Sequence, residues 1–499
     1  MANASDKSDK NKNAYKIVVI GGGPGGYPAA IHGAIRGAKV ALVEMDKLGG
    51  VCLNRGCIPS KALINSATTY EKIKTAAEIG IDLAVGAKVN WPAMLKRKDK
   101  VVSTVVGGVN SLMKSHGVDV FKGYGEITGK NEVTVTDDDD NVTVLQAENI
   151  IIATGSRPMN LPAFPLDGKA ILSSDHLLEM QALPQSMLII GGGVIGCEWA
   201  SMLAMLDVKV TIVELMDRLL PMEDSGTSEL IRREFKKKGV DIRTGIKVDS
   251  ISSGPQGISA KLSDGSTVEA TQSLLSVGRA FNVEDLGLEE FGIKQNKNGS
   301  ITVDKHMRTN VKNIYAVGDV AGVVLLAYTA TAEGILATDN ILGDKRAMDY
   351  KAVPSVIFTH PEIGSVGLTE EQAKEAGHEI VIGRYPMRAL GKALAENEIA
   401  GECKVIGDAK SDKILGVHFV GAHAADVIHT AVLAIHQGLT VTELGEMIFA
   451  HPVISEAMME ACHDVHGMSI HLAAKRKPAP ALTQPRKKSA KAKPAPAGK

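Results

Sequence analysis

Cys52 and Cys57, five positions apart, form the densest concentration of reactive groups in a chain that holds only 5 cysteines. They lie in residues 49–63, GGVCLNRGCIPSKAL, with glycines at 49, 50 and 56 around them. In a regular helix five residues rise about 7.5 Å and turn roughly 140° past a full revolution, so the two sulfurs point apart. A disulfide wants Cα atoms no more than about 7 Å apart. The pair therefore bonds only across a distorted turn, which the glycines permit, and a strained bridge is more readily reduced. That favours a working disulfide over a staple, with two unrelated buried thiols as the alternative. A zinc site would normally use C-x₂₋₄-C with a second pair elsewhere, and Cys197, Cys403 and Cys462 offer none.

The cysteines follow a phosphate-binding pattern. An apolar run at 15–20 suits a buried parallel strand, and residues 21–26, GGGPGG, fit G-x-G-x-x-G. Gly21, Gly23 and Gly26 are expected to allow a tight turn, close pyrophosphate approach and helix packing, with the helix N-terminus facing the phosphates. A second strand, 39–43, leads to Glu44, placed to accept from a ribose hydroxyl. The pattern returns at 187–190, followed by Gly191, Gly193 and Gly196, a helix, and a strand at 210–213 ending in Glu214. Both acids fall 23 positions past their first glycine, 44 − 21 and 214 − 191. Two dinucleotide sites imply two cofactors, and a flavin beside a nicotinamide is the usual connection between hydride chemistry and a disulfide. Glu214, with no arginine after it, favours NAD over NADP, because a 2′-phosphate would meet the carboxylate at close range.

The remaining chain must position these groups. Its length allows three or four domains; 56 basic against 57 acidic residues give no global charge that points to nucleic acid or membrane. A hydrophobic fraction of 44% with 51 glycines suits an α/β protein rich in turns. No apolar run reaches the roughly 18 residues of a spanning helix, and the polar start lacks the features of a targeting peptide, so the expectation is a cytoplasmic protein. In reducing surroundings a cysteine pair is again catalytic before it is structural. Residues 101–116 read as helix, and 118–144 as short strands around an acidic hairpin tip at 137–140. Residues 150–153 read as a strand before the turn Thr154, Gly155, Ser156, a crossover between domains. Residues 274–279 and 314–320 read as strand then turn, where Asp319 is either a plain turn aspartate or a contact to a flavin's ribityl or phosphate region. From 351 the texture becomes α+β, with strands at 353–358, 404–406 and 417–420 and helices at 424–437 and 442–449. There His451 is either a structural histidine or a proton carrier held by Glu456. Residues 473–499, with nine lysines and arginines, five prolines and no acid, read as a disordered tail.

Taken in order, GGGPGG, Cys52-x₄-Cys57, the second glycine motif, Gly318-Asp319 and His451-Pro-x-x-Ser-Glu456 resemble the disulfide-reducing flavoprotein family over roughly residues 15–470. The closest likeness is to the branch that oxidises dihydrolipoamide, the E3 components of 2-oxo acid dehydrogenase complexes. The resemblance implies an α/β fold of two Rossmann-like domains, for FAD and NAD, and a C-terminal α+β dimerisation domain. The implied order is leader 1–14, FAD domain 15–155, NAD domain 156–277, central domain 278–350, interface domain 351–472 and tail 473–499. It implies a homodimer in which the histidine and glutamate of one subunit reach the disulfide of the other. The implied partner is dihydrolipoamide carried on an E2 lipoyl domain or on the H protein of glycine cleavage. Carried over, Cys52 meets dihydrolipoamide, Cys57 makes the charge-transfer contact with flavin, and His451 takes the thiol proton, oriented by Glu456. Lys61 falls where the family places a lysine near flavin N5, paired with Glu198. Gly125, Thr154, Gly155, Ser156, Asp319, Leu325, Leu326, Ala327 and Tyr328 match FAD-contact positions, and Glu198, Val248 and Gly278 match NAD-contact positions. Val51 stands where the family usually has threonine, Tyr328 where histidine is common, and Pro28 sits in the first helix, where its missing amide costs little.

Glutathione reductases resemble arginine-bearing sequences at Ile31-His32 and at Glu214, and neither is present. Mercuric reductases carry a cysteine pair near the C-terminus, which this tail lacks. A nucleic-acid or anionic-surface role for the tail would amount to salt-dependent, unspecific contact.

Overall fold

The structure is a computed structural model and describes residues 13–473. The leader and tail expected to be disordered lie outside the described residues, except Asn13, Ala14 and Ala473. Ala14 opens the first strand, because it pairs with Gln146.

That strand, Ala14–Ile20, lies in parallel between Val40–Glu44 and the later half of Val142–Ile152. Asp119–Lys122 extends the sheet past Val40–Glu44, and Ile314–Ala316 returns from far along the chain to pair with residues 150–152. Both faces are covered, so the strands read as continuous apolar runs; Ile17, Val18 and Val19 are fully buried. Tyr124–Gly129 and Glu132–Thr136 add an antiparallel extension whose acidic turn at 137–140 faces solvent.

The second sheet repeats the plan. Ser186–Ile190, Lys209–Glu214, Asp241–Thr244, Gln272–Leu275 and Ile171–Leu172 are all parallel. The chain enters this unit through Ser156–Pro158 and leaves through Arg279–Phe281, and these two strands pair antiparallel as one ribbon. A third, five-stranded antiparallel sheet runs from Ser355–Ile357 to Ile380–Pro386, backed by helices Ala424–Gln437 and Glu456–Val465.

Several element boundaries differ from those read in the sequence. The helix at 101–116 begins earlier, at Trp91, where Asn90 accepts from the Ala93 amide and Pro92 occupies the first turn. Residues 314–320 do run as strand then turn: Ile314–Ala316 gives way where Gly318 takes a φ of 72° and starts a 3₁₀ turn. The helix expected at 442–449 covers only Val441–Gly445. Glycine weakens its end, and His451 precedes a proline that disfavours helical geometry.

The second and third units are joined by a buried polar network. Asp224 caps helix Ser225–Lys237 and receives Lys404 of the third sheet at 2.8 Å on both oxygens, with side-chain exposures of 0% and 2%. Its neighbour Glu223 accepts from Ser355 at 2.7 Å and Ser365 at 2.6 Å. Burial would push the Asp224 carboxyl up, but His418, Lys404 and the Glu370 amide outweigh it and hold the pKa at about 2. Removing one partner of a buried pair costs about 3–5 kcal/mol. Asp224→Ala should lose that much stability in guanidinium unfolding, and adding Lys404→Met should recover much of it. With the folded pKa depressed, the contribution is complete above the unfolded value of about 3.9 and disappears as pH falls towards 2. The variant should therefore show a flatter stability profile over that window.

Candidate active site

The distorted turn demanded by the cysteine spacing is a break between two helices. Gly50–Arg55 ends at Gly56, whose φ and ψ of −141° and −108° leave helical space, and Cys57–Lys74 begins at once. The break turns the two thiols together so that they share a hydrogen bond. That bond from Cys52 lowers Cys57 most; burial opposes it, Lys61 assists, and the result is about 7. Cys52 is pushed far above the ordinary thiol range by the same bond and by burial. One half-buried pair thus holds one easily lost proton and one tightly kept.

Lys61 sits one turn beyond Cys57 on the same face of the helix. Its ammonium meets both oxygens of Glu198 at 2.9 Å. Glu198 is buried on Val194–Met205, the helix that follows the second glycine motif, so this ion pair ties the cysteine helix to the second unit. Glu198 turns towards Lys61 and does not line the cavity described next.

The two glycine motifs fold alike. Gly21 and Gly191 take φ of 102° and 105°, and a Cβ at either would lie 2.3 Å from a carbonyl oxygen, of Ala153 or Ser276. Gly26 and Gly196 pack so closely that a Cβ would fall 1.8 or 2.0 Å from the oxygen of Gly21 or Gly191. At Gly193 a Cβ would meet nothing within 4 Å, and at Gly23 only Gly50 Cα at 3.7 Å. Neither following helix has a side-chain cap at its N-terminus. Open space before uncapped amides is what a pyrophosphate requires, so both cradles fit a dinucleotide. Glu44 accepts from the Gly22 and Asp46 amides at 2.7 Å each, and Glu214 accepts in the same way from Gly192 and Met216. Beside the second cradle lies a cavity of about 700 Å³, with Gly191, Gly193, Glu214, Val248 and Gly278 in its wall. Gly196 lies beneath the loop instead, and Arg279 and Met216 join the wall without having been singled out in the sequence.

The positions matched to FAD gather around the end of the first sheet. Gly125 packs on Ile20 and Val43, the last apolar residues of the strands that lead to Gly21 and Glu44. Thr154 and Gly155 are bonded to Asn282 across the ribbon, and Ser156 donates to Asp319 while receiving Arg279 at 2.7 Å. Leu325 and Leu326 lead into helix Ala327–Ile341, which starts with Ala327 and Tyr328; the Tyr328 hydroxyl donates to the Pro354 carbonyl. Sequence reasoning missed Glu333, buried and accepting from the Gly318 amide at 2.7 Å and from Tyr350 at 2.8 Å. No local motif marks it. Arg279 was legible in principle, since it directly follows Gly278.

His451 and Glu456 form a dyad. Glu456 Oε1 lies 2.9 Å from His451 Nδ1, and Glu456 Oε2 accepts from the Val453 amide at 2.8 Å. The histidine side chain is 78% exposed. Among the described residues, no hydrogen bond or ion pair joins it to Cys52 or Cys57 within one chain.

Residues 15–334 match the family model for pyridine nucleotide-disulphide oxidoreductases, and residues 353–462 match that family's dimerisation domain. A dihydrolipoyl dehydrogenase of Bacillus subtilis is 44% identical, covering 92% of this chain and 99% of its own length. One from Chlamydia pneumoniae is 40% identical over 91% of this chain and 98% of its own. Among solved structures, LpdA from Mycobacterium tuberculosis superposes with a TM-score of 0.85 at 28% identity, covering 90% of this chain and 98% of that one. The flavoprotein disulfide reductase RclA from Escherichia coli, in its Cu(II) complex, gives 0.82 at 30% identity, covering 90% and 99%.

The reduced cysteine pair should lose its first proton near pH 7, as a property of the pair, and keep the second through ordinary alkaline pH. Iodoacetamide labelling followed by peptide mass spectrometry should show that midpoint. In Cys57→Ser the remaining Cys52 should label only well above it; an unchanged profile would contradict the assignment.

Proposed function

The chain belongs to the pyridine nucleotide-disulphide oxidoreductases, and from that membership we propose that it oxidises dihydrolipoamide to lipoamide and reduces NAD⁺, the dihydrolipoyl dehydrogenase reaction. FAD and NAD are its cofactors, and the dimerisation domain makes it a homodimer. The observation that carries the chemistry is the helix break at Gly56, which sets Cys52 and Cys57 at adjoining helix ends with the Lys61–Glu198 ion pair one turn along.

A substrate thiolate attacks Cys52 of the oxidised pair, forming a mixed disulfide and breaking the Cys52–Cys57 bond. Cys57 departs as the thiolate, and a lower thiol pKa makes a faster leaving group. The second substrate thiol, once deprotonated, attacks its own mixed-disulfide sulfur, closes lipoamide and releases Cys52. Two electrons then reside on the cysteine pair, and the flavin supplies the two-electron connection from that pair to the nicotinamide. Gly21, Gly23 and Gly26 would hold the FAD pyrophosphate, and Gly191, Gly193 and Glu214 the NAD.

Dihydrolipoamide thiols are mostly protonated at neutral pH, so the attack needs a base. The exposed His451 imidazole serves, with Glu456 holding Nδ1 and leaving Nε2 outward. With a dimerisation domain in the chain and the His451 imidazole exposed, the partner subunit's His451 completes each site, as in the family the chain resembles. The substrate arrives on an E2 lipoyl domain or on the H protein of glycine cleavage.

NADH formation from dihydrolipoamide, run against glutathione and NADPH as alternatives, tests this function; turnover only with the glutathione and NADPH couple would refute it. His451→Gln should lose on the order of 10² to 10⁴ in dihydrolipoamide turnover and keep most NADH-to-dye activity. Heterodimers of Cys52→Ser and His451→Gln chains should recover activity at one intact composite site. NADP⁺ should be used far less efficiently than NAD⁺, since its phosphate meets the carboxylate of Glu214. Equal kcat/KM for the two would remove Glu214 as the selector.

A further inference from the structure

The Lys61–Glu198 pair has a third member that belongs to neither helix. Phe358, just past the strand Ser355–Ile357 of the third sheet, donates its amide to Glu198 Oε1 at 3.0 Å. Its ring faces the other partner, with Lys61 Nζ 4.6 Å from the ring centroid. One residue thus grips both ends of the ion pair, the anion through its backbone and the cation through its π face. The residues around it are fixed to the same neighbours: His360 donates its amide to Ser201 Oγ at 2.9 Å, and Ser355 binds Glu223.

We infer that Phe358 is a positioning residue of the redox centre, holding the Lys61 ammonium where its charge acts on Cys57. The argument rests on reading Cys52 and Cys57 as the redox pair, but not on which dithiol is the substrate. An ammonium on a flexible four-carbon stem visits many rotamers, and a single carboxylate fixes its distance but not its direction. Glu198 and the ring together bracket the cation from two sides. With the ring gone, the ammonium swings towards solvent, its field at Cys57 weakens, and the thiolate loses support. The effect runs through Lys61, which separates it from general packing: without the ammonium, the ring has nothing to position.

The test follows the alkylation pH profile of the reduced cysteine pair in purified, flavin-loaded protein, with iodoacetamide and site-resolved mass spectrometry. Phe358→Leu and the longer, unbranched Phe358→Met should each raise the midpoint by about half to one pH unit. Phe358→Tyr, which keeps the π face, should restore it. kcat should fall in the first two variants while KM for NAD⁺ stays within about twofold. Lys61→Met should raise the midpoint by itself, and adding Phe358→Leu should raise it no further. An unmoved midpoint in either folded variant, or an equal further rise in the Lys61→Met background, overturns the inference. The alkylation profile uses no dihydrolipoamide, so an unmoved midpoint is distinct from failure of the substrate assignment.

Discussion

A thiolate withdrawn from water is costly unless a donor and a cation face it. Cys57 has both: the Cys52 thiol donates to it, and Lys61 stands one turn along the same helix. The donor exists because the helix breaks at Gly56, and the cation is held because Glu198 reaches across from another unit. The centre therefore belongs to no single domain. Two helices that meet at Gly56 supply one sulfur each, the second of them also the lysine, a further helix the carboxylate, and the segment just past Ser355–Ile357 the residue that touches both charges.

The two nucleotide cradles show how one local solution serves twice. In each, a glycine at positive φ starts the loop, another glycine admits the helix, and an acid at the end of the next strand accepts two amides of the surrounding loops. Those carboxylates are already fixed by the amides, so a ribose that used them as acceptors would meet no ordering cost there.

Much of this was legible in the sequence because its signals are local. The G-x-G-x-x-G runs, their acids and the glycine-flanked cysteines each carry their own reason within a few residues. Parallel strands such as Ala14–Ile20 announce themselves as apolar runs for the same reason. What was hidden depends on residues far apart in sequence. Glu333 binds Gly318, and Phe358 binds Glu198, 160 positions away, with no motif to mark either contact. Helix ends were also unreliable where glycine and a following proline compete with helical spacing, as at Val441–Gly445. The exposure left to the His451 side chain, once paired with Glu456, also depends on the chain path after a proline, which spacing alone does not reveal.

The ribbon of Ser156–Pro158 and Arg279–Phe281 makes the second unit an insertion, its entry and exit lying side by side. This has a consequence for synthesis on the ribosome. The first sheet lacks an edge until Ile314–Ala316 has emerged to pair with residues 150–152. At about 5–20 residues per second, the gap between those strands takes roughly ten to thirty seconds to translate. During that interval the insertion, whose own strands are contiguous, can close first. The earlier part of the chain waits with an open parallel edge, the kind of surface that chaperones or premature pairing partners recognise.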